Sequence, residues 1–245
     1  MDAIYKKFPN LEEISPCIKA STRYFGILFV LLSVLEIVTT GLGITSFHPW
    51  IKPLLIPSLA AAALCALLPE HRGWQTALLA NALLLHTVGD ILLLFNDPDY
   101  AFFEAGLRAF LVGNICYVIA LIGFSEKLHG WKEILLAACP LVIAPLIASH
   151  FKGAAISQGI LVVYAFTLLY LVSCGGIWLL RKRRFGWRVL VGGLFFIASD
   201  VLLALNAFNG VEFPLRHATV MGTYLIAEWL LVSAIVRDRL QSAEA

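Results

Sequence analysis

Asp90 and Asp200 are the residues on which chemistry could turn. Each lies in a long apolar run, ANALLLHTVGDILLLF and VGGLFFIASDVLLALNAF respectively. A carboxyl group at the bilayer centre costs about 2.5–3.5 kcal/mol on insertion scales, so an acid inside a membrane span reads as functional. Their contexts match as well, GDILLLFN in one half of the chain and SDVLLALN in the other. Leucine identities are cheap in Leu-rich helices, so the weight falls on Asp90/Asp200 and Asn96/Asn206. Two carboxyls in one apolar pocket can divide the work, one delivering a proton while the other supports or deprotonates a neighbour. The chain contains no HExxH, GxSxG, phosphate loop or dinucleotide fingerprint, and no CxxC among its five cysteines. The chemistry this leaves is acid–base hydrolysis of an acid-labile bond without metal or cofactor. A pocket open to the bilayer takes a lipid as its natural substrate.

Other polar residues share these stretches. Glu36 and Glu228 are also embedded; His86 and Asp90, like Tyr224 and Glu228, are four residues apart on one helical face. Asn114 and Tyr117 share a stripe with Phe110. Each has a plainer explanation: His86 as a hydrogen-bonded core histidine, Tyr117 and Tyr224 as packing aromatics, Glu36 as part of a wet helix end with Thr39 and Thr40. The five cysteines, four of them inside apolar runs, read as unpaired thiols.

The elements that must position these groups follow from composition. The 245 residues are 60% apolar and 14% charged, with mean hydropathy +0.86, which excludes an ordinary soluble domain. Continuous apolar runs of about 20 residues are membrane helices, because only helices satisfy every backbone group within one segment. Eight are predicted, near 23–41, 50–68, 74–95, 106–124, 132–149, 156–180, 188–208 and 217–236. The fold class is therefore all-α, a bundle of eight transmembrane helices, and a four-plus-four internal duplication is one reading of the matched octets. Residues 1–22 form an N-terminal segment without the pattern of a cleavable signal, and 237–245 form a C-terminal tail.

Lys and Arg set the orientation. Fourteen of the 18 fall on one side of this eight-span layout, including the RKRR cluster at 181–184, so that side and both termini are expected in the cytoplasm. RKRR reads as an anchor on anionic headgroups, not as a nucleic-acid site. Pro53 and Pro57 in the second span, with Pro140 and Pro145 in the fifth, interrupt backbone hydrogen bonding; Gly175–Gly176 and Gly192–Gly193 permit close helix approach.

Taken in order, several elements resemble the YhhN family of membrane lysoplasmalogenases. They are Lys52-Pro53-Leu54 opening the second span, Gly89-Asp90 in the third, and Gly106-x3-Phe110-x3-Asn114-x2-Tyr117 in the fourth. FFIASDVLLALN at 195–206 and Tyr224-x2-Ala227 complete the set. Members of that family commonly carry His where this chain has Asn114, which keeps hydrogen bonding but cannot shuttle a proton near neutral pH. The resemblance implies hydrolysis of the vinyl ether of lysoplasmalogens (lysoplasmenylethanolamine or lysoplasmenylcholine) to a fatty aldehyde and a glycerophospho-head-group. It implies no cofactor or metal. Asp90 and Asp200 would be catalytic, with the acid and base roles unassigned. Lys52 would meet the phosphate, and Asn114, Tyr117, Asn206, Tyr224 and Glu228 would line or orient the site. A bacterial inner membrane is preferred to an endoplasmic reticulum. The competing reading is a proton-coupled secondary transporter that uses the same acids.

Overall fold

A computed structural model describes residues 11–67, 73–95, 101–122, 127–151 and 156–242. Asn96, half of the matched Asn pair, lies outside them, as do the turn signals at 71–72, 96–100 and 125–126. Among the described residues the chain is all-helical. Eight α-helices run from α1 (Leu11–Gly41), through α2 (His48–Leu67), α3 (Trp74–Leu92), α4 (Ala101–Ile122), α5 (Trp131–Ser149) and α6 (Gln158–Leu180), to α7 (Gly186–Asn209) and α8 (Arg216–Ser242). A short 3-10 turn at Thr45–Phe47 leads into α2. Seven of the helices are long and apolar enough to cross a membrane. α3 is less apolar because it carries Gln75, Asn81, His86 and Asp90, yet it packs between α2 and α4. The protein is a multi-pass integral membrane helical bundle.

Several helices outrun the apolar segments that announce them. α1 begins at Leu11, α4 at Ala101, and α8 continues to Ser242. Hydropathy marks the hydrocarbon-spanning part of a helix, whereas backbone hydrogen bonding continues into its polar ends.

Contacts between neighbours close a ring: α1 on α2, α2 on α3, α3 on α4, α4 on α6, α6 on α7, α7 on α8, and α8 back on α1. α5 stands outside this ring against α6 and turns Leu141, Val142 and Leu146 outward. Small residues set the closest approaches. A Cβ on Gly175 of α6 would lie 2.3 Å from the backbone nitrogen of Leu190 in α7, and one on Gly113 of α4 would lie 2.3 Å from the His86 ring of α3. Neither position has room for a side chain. Without a hydrophobic drive between helices in lipid, such backbone contact is a main source of packing.

Candidate active site

A cavity of about 970 Å³, its open mouth included, lies between the helices of the ring and α5. Its walls come from the C-terminal parts of α3, α5 and α7 and the N-terminal parts of α2, α4, α6 and α8, so it occupies one half of the bundle. Most of the lining is apolar, with Leu107, Phe103, Phe151, Leu161, Leu168 and Phe208 among it. The polar exceptions are Lys52, Asp90, Tyr164, Ser199, Asp200 and Tyr224. A long apolar chamber with a few convergent polar groups is the usual form of a small-ligand site.

Asp90 reaches this cavity from α3 and is 2% exposed. Its Oδ1 lies 3.5 Å from Lys52 Nζ, and its Oδ2 accepts a hydrogen bond from the Tyr224 hydroxyl at 2.9 Å. Asp200, half-buried on α7, accepts a 2.6 Å hydrogen bond from the Tyr164 hydroxyl. The two acids thus have unlike settings, one beside an ammonium and a phenol, the other beside a phenol. Each is within electrostatic reach of His86 and Glu228, and Asp200 within that of Asp90.

A second polar group sits behind the first. Glu228, wholly buried on α8, lies 2.5 Å from His86 Nδ1 and accepts a 2.6 Å hydrogen bond from the Tyr117 hydroxyl. Rings enclose it: His86 packs against Phe110, Tyr117 and Phe196 with centroids 5.1–5.6 Å apart, and Phe196 and Phe110 pack edge-on against Tyr224. This cluster joins α3, α4 and α8, and none of His86, Tyr117 or Glu228 lines the cavity. Asn114 is also fully buried, and among the described residues neither atom of its amide finds a hydrogen-bond partner.

Of the eight residues singled out from sequence, Lys52, Asp90, Asp200 and Tyr224 therefore meet at the cavity. Asn114, Tyr117 and Glu228 stand behind its wall. Asn206 is elsewhere: its amide spans the end of α7, donating to the Val211 carbonyl and accepting from Arg216 Nη1 at 2.6 Å. Lys52 is buried against Asp90 and does not reach out of the bundle. Tyr164 was not foreseen. A tyrosine in the run ILVVYAFTLLY carries no signal that separates a partner of an acid from a packing aromatic.

A family model describing the YhhN family matches residues 47–235, about three quarters of the chain. The chain belongs to the YhhN family. Every cavity-lining residue falls within the matched segment. Human lysoplasmalogenase TMEM86A is 28% identical over an alignment of 175 residues that covers 64% of this chain and 64% of that protein. The chain thus spans less than two thirds of that relative's length. No solved structure matches this YhhN protein.

Proposed function

We propose that this YhhN protein is a membrane lysoplasmalogenase, which hydrolyses the vinyl ether of a lysoplasmalogen to a fatty aldehyde and a glycerophospho-head-group. The observation that carries the reading is a pair of carboxyl groups, Asp90 and Asp200, on the wall of one long apolar cavity. Membership of the YhhN family and similarity to a human lysoplasmalogenase support it. The apolar walls would take the alkenyl chain.

The acids divide the steps by their neighbours. Asp200, met by a phenol instead of an ammonium, is the proton donor. It protonates the β-carbon of the alkene; the π electrons form the new C–H bond and the ether oxygen shares the resulting positive charge as an oxocarbenium ion. Asp90, held by Lys52 and Tyr224, is the base. It takes a proton from water as the water oxygen bonds to the cationic carbon. The hemiacetal then collapses: its hydroxyl proton returns to Asp200, the carbon–glycerol bond breaks, and the glycerol oxygen takes the proton held by Asp90. One water is consumed and both acids are restored. The division of labour parallels that of paired carboxyls in glycoside hydrolysis.

Purified protein in detergent, given lysoplasmenylethanolamine, should release aldehyde, and the saturated alkyl-ether analogue should stay intact, because only an alkene can accept the proton. Cleavage of both, or of neither, would sink the proposal. Turnover in detergent also separates hydrolysis from transport, which needs a sealed compartment.

A further inference from the structure

We infer that Arg216 and His217, at the start of α8 one turn before its cavity-lining residues, form a phosphate-binding subsite, which holds the headgroup phosphate of a lysophospholipid. The inference rests on the hydrolase reading for the identity of the lipid, while its geometry stands independently.

A chain of polar contacts crosses the end of the bundle where α1 meets α2 and α7 meets α8. Arg216 Nη1 donates to Asn206 of α7 at 2.6 Å, and Nη2 lies 2.9 Å from His217 Nε2. The His217 ring packs edge-on against His48 of α2, 6.0 Å away, and His48 Nδ1 bonds Glu36 of α1. Lys52 is within electrostatic reach of His217. Neither carboxylate near this group bonds Arg216. Glu36 is taken by His48, and Lys52 by Asp90. Arg216 has an amide oxygen and an imidazole nitrogen for partners, and among the described residues no carboxylate pairs with it. A guanidinium without a counter-charge, next to an exposed imidazole, suits a phosphate. Leu215, immediately before, has φ 56°, a left-handed conformation that bulky residues rarely adopt.

The spacing matches a lipid. His217 precedes Val220, Met221 and Tyr224 by three, four and seven residues, so it lies on the stripe of α8 that lines the cavity. Seven residues of helix rise about 10 Å. In a lysoplasmalogen, six bonds separate the vinyl-ether carbon that water attacks from phosphorus, about 8 Å when extended. With the reacting carbon level with Tyr224 and Asp90, the phosphate comes level with His217 and Arg216.

The test is equilibrium binding to the purified full chain in detergent. The ligands are a 1-O-alkyl-lysophosphoethanolamine, which is not hydrolysed, and the corresponding 1-O-alkylglycerol. The phosphate-bearing ether should bind at least about tenfold more tightly, and Arg216→Gln and His217→Ala should each shrink that ratio several-fold, with partial recovery in Arg216→Lys. A ratio unchanged in folded His217→Ala and Arg216→Gln overturns the subsite. Should Arg216→Gln fail to fold, His217→Ala, a change at an exposed position, decides alone. Millimolar inorganic phosphate should leave lipid binding intact; full displacement by it would overturn the lipid assignment in favour of a free-phosphate site. Failure of the hydrolase reading looks different: no aldehyde from the vinyl ether, with the binding ratio and its loss in the variants preserved.

Discussion

At the scale of single residues, the site is defined by what stands next to each acid. Asp90 has Lys52 at 3.5 Å and Tyr224 at 2.9 Å; Asp200 has Tyr164 at 2.6 Å. On the proposed mechanism, Asp90→Asn and Asp200→Asn should each lower aldehyde release by roughly 10²–10⁴-fold, the usual worth of a positioned acid or base. The melting temperature in detergent should hold in Asp200→Asn, whereas Asp90→Asn strands the buried Lys52 ammonium without its counter-charge and should lower it. Near-normal turnover in either variant removes that residue from the chemistry. Tyr164→Phe offers a finer test. It deletes one hydrogen bond to the proposed donor and keeps the ring, so kcat should fall about tenfold with little change in KM. A change confined to KM would make Tyr164 a wall of the chamber and no more.

At the scale of elements, the buried cluster on α3, α4 and α8 carries the stability argument. His86→Ala leaves the Glu228 carboxylate without its nitrogen partner in a wholly buried setting, and breaking a buried pair in this way costs roughly 3 kcal/mol or more. The double variant His86→Leu with Glu228→Met should recover much of that loss in thermal unfolding; an additive loss would mean the pair is not coupled. Gly175→Ala should destabilise by about 1–3 kcal/mol, because its Cβ meets backbone of α7 and not a yielding side chain. How much of this was legible in the sequence depends on the element. The helices were, because apolar runs of bilayer length have one solution in lipid. Asp90 and Asp200 were, because an acid in such a run is expensive. The faces of the helices were not: α6 is apolar all round, so nothing marks the side from which Tyr164 points. Lys52 reads as a headgroup contact when only its place near a helix end is known, and its turn inward toward Asp90 is a tertiary fact. Asn206 matched a motif and serves the end of α7. Nor does the sequence announce that α5 stands outside the ring, since its hydropathy resembles that of its neighbours.

At the scale of the whole molecule, eight helices in alternating directions return the chain to the side on which it started. The distribution of Lys and Arg puts both termini in the cytoplasm and the cavity mouth on the opposite face, as a proposal. A reporter fused after Ser242 should be active only as a cytoplasmic fusion. Single cysteines replacing Ile44 or Val211 in a cysteine-free background should react with a membrane-impermeant thiol reagent added from outside. The reverse labelling pattern would invert the orientation while leaving the interior geometry as it is.

The cavity belongs to one half of the bundle. A lysolipid drawn from the adjoining leaflet would therefore never need to flip. Its cleaved head could drift off into water from the surface where it arrived, and the aldehyde would be shed back into the monolayer its parent came from. On the proposed activity, turnover would draw on one leaflet and leave the other untouched.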